Sequence, residues 1–281
     1  VHPVVVTIAG SDSSGGAGIQ ADLKAIAANG GYPATVVTAV TAQNTTAVRS
    51  VAEVSLGVIA DQIDAVFDDL EVRAVKTGML PSRGVVELVA DRLRARGPAR
   101  LVCDPVMVST SGSTLQVPGA LEAVVEQILP LAALITPNAD EAGKLAGMSV
   151  ESSADAEEAG RRIRGLGARA VLVKGGHLAG DRATDVLVSG DGVRRFDAPR
   201  IEAPHTHGGG CTYASAIATR LAHGESLELA VERAKEFVTR ALSAGLAIGA
   251  GSGAVDSFFF LRARGSAPWR RETPRAVRGK R

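Results

Sequence analysis

Three observations predict an α/β fold, with a mostly parallel central sheet and helices on both faces. Short β-branched runs alternate with helical patterns along the chain. Several of those runs are apolar at every position, as strands covered on both faces must be. Polar, glycine-rich clusters recur just after them, at the strand ends where open parallel sheets hold ligands. The alternation argues for one layered domain, and the chain shows no Pro/Ser-rich linker and no internal repeat. The expected domain covers residues 1–255, followed by a basic, mobile tail over 256–281.

The elements follow in order. Residues 4–9 (VVVTIA) form the first strand candidate, and a glycine-rich loop leads from it into a helix over 18–28. Strand 34–40 precedes helix 57–69, and strand 74–77 precedes helix 83–96. Strand 101–104 precedes helix 119–128. Strand 134–136 is followed by helices 139–146 and 154–166, and strand 170–174 by a hairpin. The hairpin is signalled by 184–188 and 193–196, which flank Gly190-Asp191-Gly192. Gly208, Gly209 and Gly210 lead into an apolar helix, and Leu227, Val231, Ala234, Phe237, Val238, Ala241 and Leu242 mark an amphipathic helix over 226–248.

Composition narrows the class. The 281 residues are 46% hydrophobic but only 3% aromatic, so the core must be aliphatic. Two cysteines in unlike contexts form no disulfide framework, which points to a reducing compartment. No apolar run reaches the length of a membrane span and no cleavable leader pattern opens the sequence, so a cytoplasmic location is expected, with no membrane partner. The net charge of +1 hides an asymmetry. From Arg262 to Arg281 there are eight Lys/Arg and one Glu, which leaves 23 basic and 29 acidic residues elsewhere. A basic end without a fold reads as a solvated tail, so no nucleic-acid partner is expected.

The richest stretch is Gly208-Gly209-Gly210-Cys211. Glycines without Cβ let backbone N–H groups converge, and a helix start adds unpaired N–H groups and positive potential. Such a site suits phosphate, and the same field lowers a thiol pKa, which would poise Cys211 as a thiolate. By itself the stretch reads equally as a Gly-rich loop with a small buried cysteine.

Gly16-Ala17-Gly18-Ile19-Gln20-Ala21 fits the dinucleotide fingerprint G-x-G-x-x-G/A, but Thr41 and Gln43 stand where that fold needs an acid. No P-loop motif is present either. Asp22 could accept from a ligand, or be an exposed helix carboxylate. Gln43 offers an amide with donors and acceptors, suited to an aminopyrimidine edge, or is a polar loop residue. Asp104 ends a strand. Glu141 lies one helical turn after Asn138, so both can face one point, near which carboxylates hold Mg²⁺; Asn138 and Glu141 also fit a capping box. Lys174 ends an apolar strand beside Gly175-Gly176 and could reach nucleotide phosphates.

Taken together, TIAGSDSSGGAGIQADLK (7–24), VTAVTAQNT (37–45), KTGML (76–80), DPVM (104–107), TPNADE (136–141), VLVKGGH (171–177) and HGGGCT (207–212) resemble the ribokinase-like superfamily. Within it they are similar to the hydroxymethylpyrimidine/phosphomethylpyrimidine kinases. The motifs stand in family order and cover about residues 4–250. The resemblance implies a three-layer sandwich and an ATP-dependent kinase of thiamine diphosphate biosynthesis. Its substrates would be 4-amino-5-hydroxymethyl-2-methylpyrimidine and then the monophosphate. It implies that Gly10, Asp22, Val40, Gln43, Met79, Val106 and Cys211 surround the pyrimidine. Asp104 and Glu141 would organise Mg²⁺, supported by Asn138. Lys174, Thr206 and the Gly208–Gly210 loop would hold the phosphates of ATP, and Cys211 would stand as the base. Related enzymes are often dimers, so the resemblance allows a homodimer, although the sequence itself does not give the oligomeric state.

The family usually has Thr where this chain has Gly209, and Ser109 and Ser113 also depart from its pattern. A vitamin B6 kinase of the same superfamily is the second reading. A non-catalytic pyrimidine or nucleotide sensor is a third, of another class.

Overall fold

The computed structural model describes residues 2–97, 100–107, 118–177, 181–201 and 205–262. The tail beyond 262, and Ser109 and Ser113 with their loop, lie outside the described residues.

Nine strands among those residues form one sheet in the order β3-β2-β1-β4-β5-β6-β7-β8-β9. Its centre is parallel: β1 (Val4–Asp12) lies between β2 (Tyr32–Gln43) and β4 (Val72–Thr77), and β5 (Leu101–Cys103), β6 (Leu134–Ile135) and β7 (Val171–Val173) follow. Antiparallel strands finish both sides. The hairpin expected near Gly190 is β8 (Arg182–Ser189) with β9 (Gly192–Pro199). At the opposite edge β3 (Val48–Glu53) pairs with β2, and no strand was expected there. Its sequence, VRSVAE, is exposed at almost every position, so it carries no hydrophobic period for a reader to find.

Side-chain alternation builds two apolar layers. Val6 and Ile8 of β1 face one way, against α2 (Leu56–Asp69), α3 (Arg83–Arg96) and α6 (Ser153–Gly165). Val5 faces the other way, with Ala74, Val102, Leu134 and Leu172 of neighbouring strands. These meet α1 (Gly18–Ala28), α7 (Gly209–Ala222) and α8 (Leu227–Ser243). The result is the three-layer sandwich expected from the motifs.

Two helix expectations change. The segment 119–128 is not one α-helix: α4 (Ala120–Ala123) passes into a wider π turn over Val124–Ile128, then a 3₁₀ turn over Leu129–Leu131. Pro130, which has no N–H to donate, sits in that last turn. The helix expected to reach 248 ends at Ser243. A Cβ at Gly245 would lie 2.9 Å from the His205 carbonyl oxygen, so the chain there passes against other backbone, and Leu246 bridges to Ala254 instead. The packed chain also runs past the expected boundary at 255. Asp256 and Ser257 are buried, and α9 (Phe259–Arg262) stacks Phe259 on Phe237, with the Arg240 guanidinium 4.7 Å from its ring.

Candidate active site

The strand ends and the start of α7 enclose a cavity of about 760 Å³, within the range of small-molecule sites. It is walled by thirteen of the fifteen residues singled out in the sequence: Gly10, Gln43, Met79, Asp104, Val106, Asn138, Glu141, Lys174, Thr206, Gly208, Gly209, Gly210 and Cys211.

Asp22 and Val40 are not in that wall. Val40 is 51% exposed and points away from the cavity. It lies on β2 opposite Ala52 of the edge strand. Asp22 is fully buried below the cavity floor. It accepts from Thr7 Oγ1 at 2.6 Å, Ser215 Oγ at 2.7 Å and Lys76 Nζ at 2.9 Å. Three donors of the protein surround it, and it contributes no surface to the cavity wall.

The first glycine of the run is fixed by geometry. Gly208 caps α7 at φ +80°, and a Cβ there would lie 1.8 Å from the Gly16 carbonyl oxygen. Gly210 faces the cavity, where a Cβ would sit 3.3 Å from Lys174 Nζ and 3.9 Å from Asp104 Oδ2. Gly209 is different. A Cβ there meets only Leu242 Cδ2, at an ordinary 3.5 Å. Gly209→Ala is therefore expected to raise stability by ~0.5–1 kcal/mol, because the unfolded chain loses freedom it has no use for in the helix. Urea titration reads this; an equal or lower midpoint contradicts it.

Opposite the glycines stands a charged cluster. Lys174 Nζ donates to Asp104 Oδ1 at 2.9 Å, and Thr136 Oγ1 donates to the same oxygen at 3.0 Å. Burial works against the charge on Asp104, but Lys174 and Lys76 outweigh it and hold the carboxyl below its ordinary range. Glu141 and Asn138 form the capping box of α5 (Ala139–Ala146): Asn138 N–H donates to Glu141 Oε2 at 2.8 Å, and Glu141 N–H to Asn138 Oδ1 at 2.9 Å. Both roles read in the sequence therefore meet in one place. Burial, with Asp104 nearby, pushes Glu141 up to about 7, although Lys174 and the N–H groups of Asn138 and Met107 pull it down.

Cys211 departs from its expectation. Burial is the largest effect on the thiol and pushes it up to about 11, although Lys76 acts in the opposite sense. Burial thus works against the thiolate that a helix start favours.

Sequence reasoning missed Asp12, His207 and Lys76. Asp12 accepts from Ser14, Gly16 and Ala17 N–H groups at 2.8, 3.1 and 2.8 Å, and lies 2.9 Å from His207 Nε2. It thus ties the first loop to the start of α7. Burial opposes its charge, but these hydrogen bonds prevail and lower its pKa to about 2. A depressed carboxyl stabilises the fold above the unfolded pKa and loses that contribution as pH falls through the folded one. Asp12 is thus expected to contribute ~2 kcal/mol above pH ~4, fading towards pH ~2. An Asp12→Asn variant as stable as the parent at pH 6 by urea titration contradicts this. Lys76 was legible in principle: a lysine inside an apolar strand has to be paired if it is buried.

A parallel sheet, a glycine-lined helix start and a paired ammonium and carboxylate around one cavity suit one class, the α/β phosphotransferases of small molecules. The family model described as "Phosphomethylpyrimidine kinase" matches residues 12–256, and the chain belongs to that family. The hydroxymethylpyrimidine/phosphomethylpyrimidine kinase of Rhizobium meliloti (strain 1021) is 49% identical over 260 residues, covering 91% of this chain and 97% of that protein. The thiamine biosynthesis bifunctional protein ThiED of Geobacter sulfurreducens is 47% identical over 252 residues, or 90% of this chain; the match spans about half of ThiED, 51%. Among solved structures, Bacillus subtilis pyridoxal kinase in an ADP complex matches with a TM-score of 0.86 at 36% identity, covering 92% of this chain and 98% of that one. Phosphomethylpyrimidine kinase from Clostridium difficile 630 matches at 0.76 and 42% identity, covering 85% and 99%. The fold is therefore ribokinase-like, and the chain is a kinase of small molecules. Among the described residues no helix is long and apolar enough to cross a membrane.

Proposed function

We propose that the chain transfers the γ-phosphoryl group of ATP to the hydroxymethyl group of 4-amino-5-hydroxymethyl-2-methylpyrimidine. It then phosphorylates the monophosphate to the diphosphate, in thiamine diphosphate biosynthesis. One observation carries the reading: the glycine-lined start of α7, the Asp104–Lys174 pair and a recess walled by Gln43, Met79 and Val106 share one cavity.

In this reading the ring lies by Gln43, whose amide reads its edge, and by Met79, whose Sδ and Cε reach over Gly10. The hydroxymethyl group points at Cys211. The amides of Gly208–Gly210, with Lys174 and Thr206, hold the phosphates. Phosphoryl transfer is mainly positioning and charge stabilisation, which backbone N–H groups and a fixed ammonium provide.

Mg²⁺ fits the donor set. Asp104 and Glu141 bring two carboxyls beside the Lys174 ammonium, and burial together with Asp104 works against the charge on Glu141, which a bound cation would favour. Among the described residues no group of three or more His, Cys, Asp or Glu could hold a metal ion. Mg²⁺ takes one or two carboxylates and completes its shell with water and phosphate. Asp104 and Glu141 would hold it, and it would neutralise charge on the β- and γ-phosphates.

As a protonated thiol, Cys211 orients the hydroxymethyl group and does not remove its proton. Cys211→Ser is then expected to bind the pyrimidine normally and lose about tenfold in kcat. A loss of roughly 100-fold or more would return it to the role of general base.

Turnover of Mg-ATP with the alcohol, and separately with its monophosphate, tests the reading. ADP release with both supports it, and release with neither sinks it in favour of a sensor. The backbone likeness to pyridoxal kinase keeps vitamin B6 phosphorylation as a second reading, which a larger kcat/KM on pyridoxal than on the pyrimidine would establish. The chain is further proposed to act in the cytoplasm, as a homodimer.

A further inference from the structure

The floor of the cavity holds a charge pair that the reading above does not use. Lys76 and Asp22 are both fully buried, with Nζ and Oδ2 2.9 Å apart. A buried pair of this kind adds little net stability over well-packed apolar side chains. Its orientation is the informative part. Asp22 is closed in from below by Thr7 and by Ser215. Ser215 stands four residues after Cys211 on α7, so the two share a helix face and Asp22 lies beneath the thiol. Lys76 belongs to the cavity wall with Gly10, Asp104 and Cys211, and Asp22 does not. Its ammonium fills the space that a Cβ on Gly78 would take, with Nζ 2.7 Å from that position. The dipole therefore turns its positive end to the cavity.

We propose that the Lys76–Asp22 pair is an oriented buried charge whose positive end underlies the acceptor oxygen and stabilises it as its hydroxyl proton leaves. The proposal rests on the double activity described above. In the first transfer the alcohol oxygen bonds to the γ-phosphorus while the bond to the ADP oxygen breaks. The hydroxyl proton passes to a transferred phosphoryl oxygen and then to water. In the second transfer the acceptor is a phosphate monoester, which is already anionic and gives up no proton. Lys76 acts through its field from inside the wall, in a low-dielectric setting that screens it weakly.

The test is the ratio of two turnover numbers on the same protein. Lys76→Met removes the cation but leaves Asp22 charged in the core. Lys76→Met/Asp22→Asn is therefore made beside it, and it retains hydrogen-bonding capacity towards Thr7 and Ser215. Single-turnover rates are measured with the pyrimidine alcohol and with its monophosphate. The first rate is expected to fall roughly tenfold or more relative to the second, since lost stabilisation of a developing oxyanion slows only the step that forms one. A merely structural pair would slow both steps by the same factor, and an unchanged ratio in the double variant overturns the proposal. Wild-type enzyme inert towards either substrate would instead remove the reading on which the proposal stands.

Discussion

Gly208→Ala is expected to leave no measurable kinase activity and to lower stability by several kcal/mol. The residue sits at φ +80°, where an L side chain is strained before any contact is counted. The added Cβ would then lie 1.8 Å from the Gly16 carbonyl oxygen and 3.2 Å from Ala17 Cα. Both are backbone, so no rotamer change relieves the overlap. Gly16 cannot retreat freely either, because its N–H is held by Asp12 and the His207 ring fills the space beside its Cα. The first loop and the start of α7 must part, and the amides that would hold phosphate lose their aim. Loss of one such donor costs about 100-fold in kcat, and here the whole set moves. Urea unfolding and kcat/KM read the two effects together. A parent-like midpoint with parent-like turnover would show that the contact of the two loops is dispensable.

Lys174→Met is expected to be nearly as damaging, but through charge. It removes the cation that Asp104 and Glu141 share and leaves two carboxyls together in a buried site. Breaking a buried pair on one side costs about 3–5 kcal/mol. Loss of the ammonium should also raise the KM for ATP and lower kcat/KM by roughly 10³-fold, since both phosphate binding and charge stabilisation are lost. Lys174→Arg is expected to recover little, because a planar fork does not replace a compact ammonium beside Asp104. An ATP KM within threefold of the parent in Lys174→Met would exclude contact between this residue and the nucleotide.

The central strands are legible because both faces are covered: runs such as VVVTIA and LVC are short, apolar and rich in β-branched residues, as interior strands are. The edge strand β3 is not legible, because exposed edges tolerate arginine, serine and glutamate. At the site, thirteen of the fifteen residues singled out line the cavity, while Val40, at the end of an expected strand, and Asp22 do not. Asp22 lies outside the cavity wall for a reason of another kind. Its place one turn into α1 is clear from the sequence, but the identity of the groups beneath it is not. They come from β1, β4 and α7, and only the folded chain unites Thr7, Lys76 and Ser215 around one carboxylate. The Cys211 thiol shows the same limit. The field of a helix start can be read from glycines, whereas the burial that outweighs it depends on the whole fold.

The contact between Asp12 and His207 also bears on how the molecule is made. It joins positions 195 residues apart, and the one between Asp22 and Ser215 joins positions 193 apart. Contacts of such sequence separation form late, after the chain entropy of closing a long loop has been overcome. On the ribosome, the first strands and helices can pack while α7 is still unsynthesised. The phosphate cradle cannot exist until α7 docks against the first loop. Pulse-labelled hydrogen exchange should therefore show the amides of α7 from Thr212 onward gaining protection after those of the central strands, so that phosphate-binding competence comes last in folding.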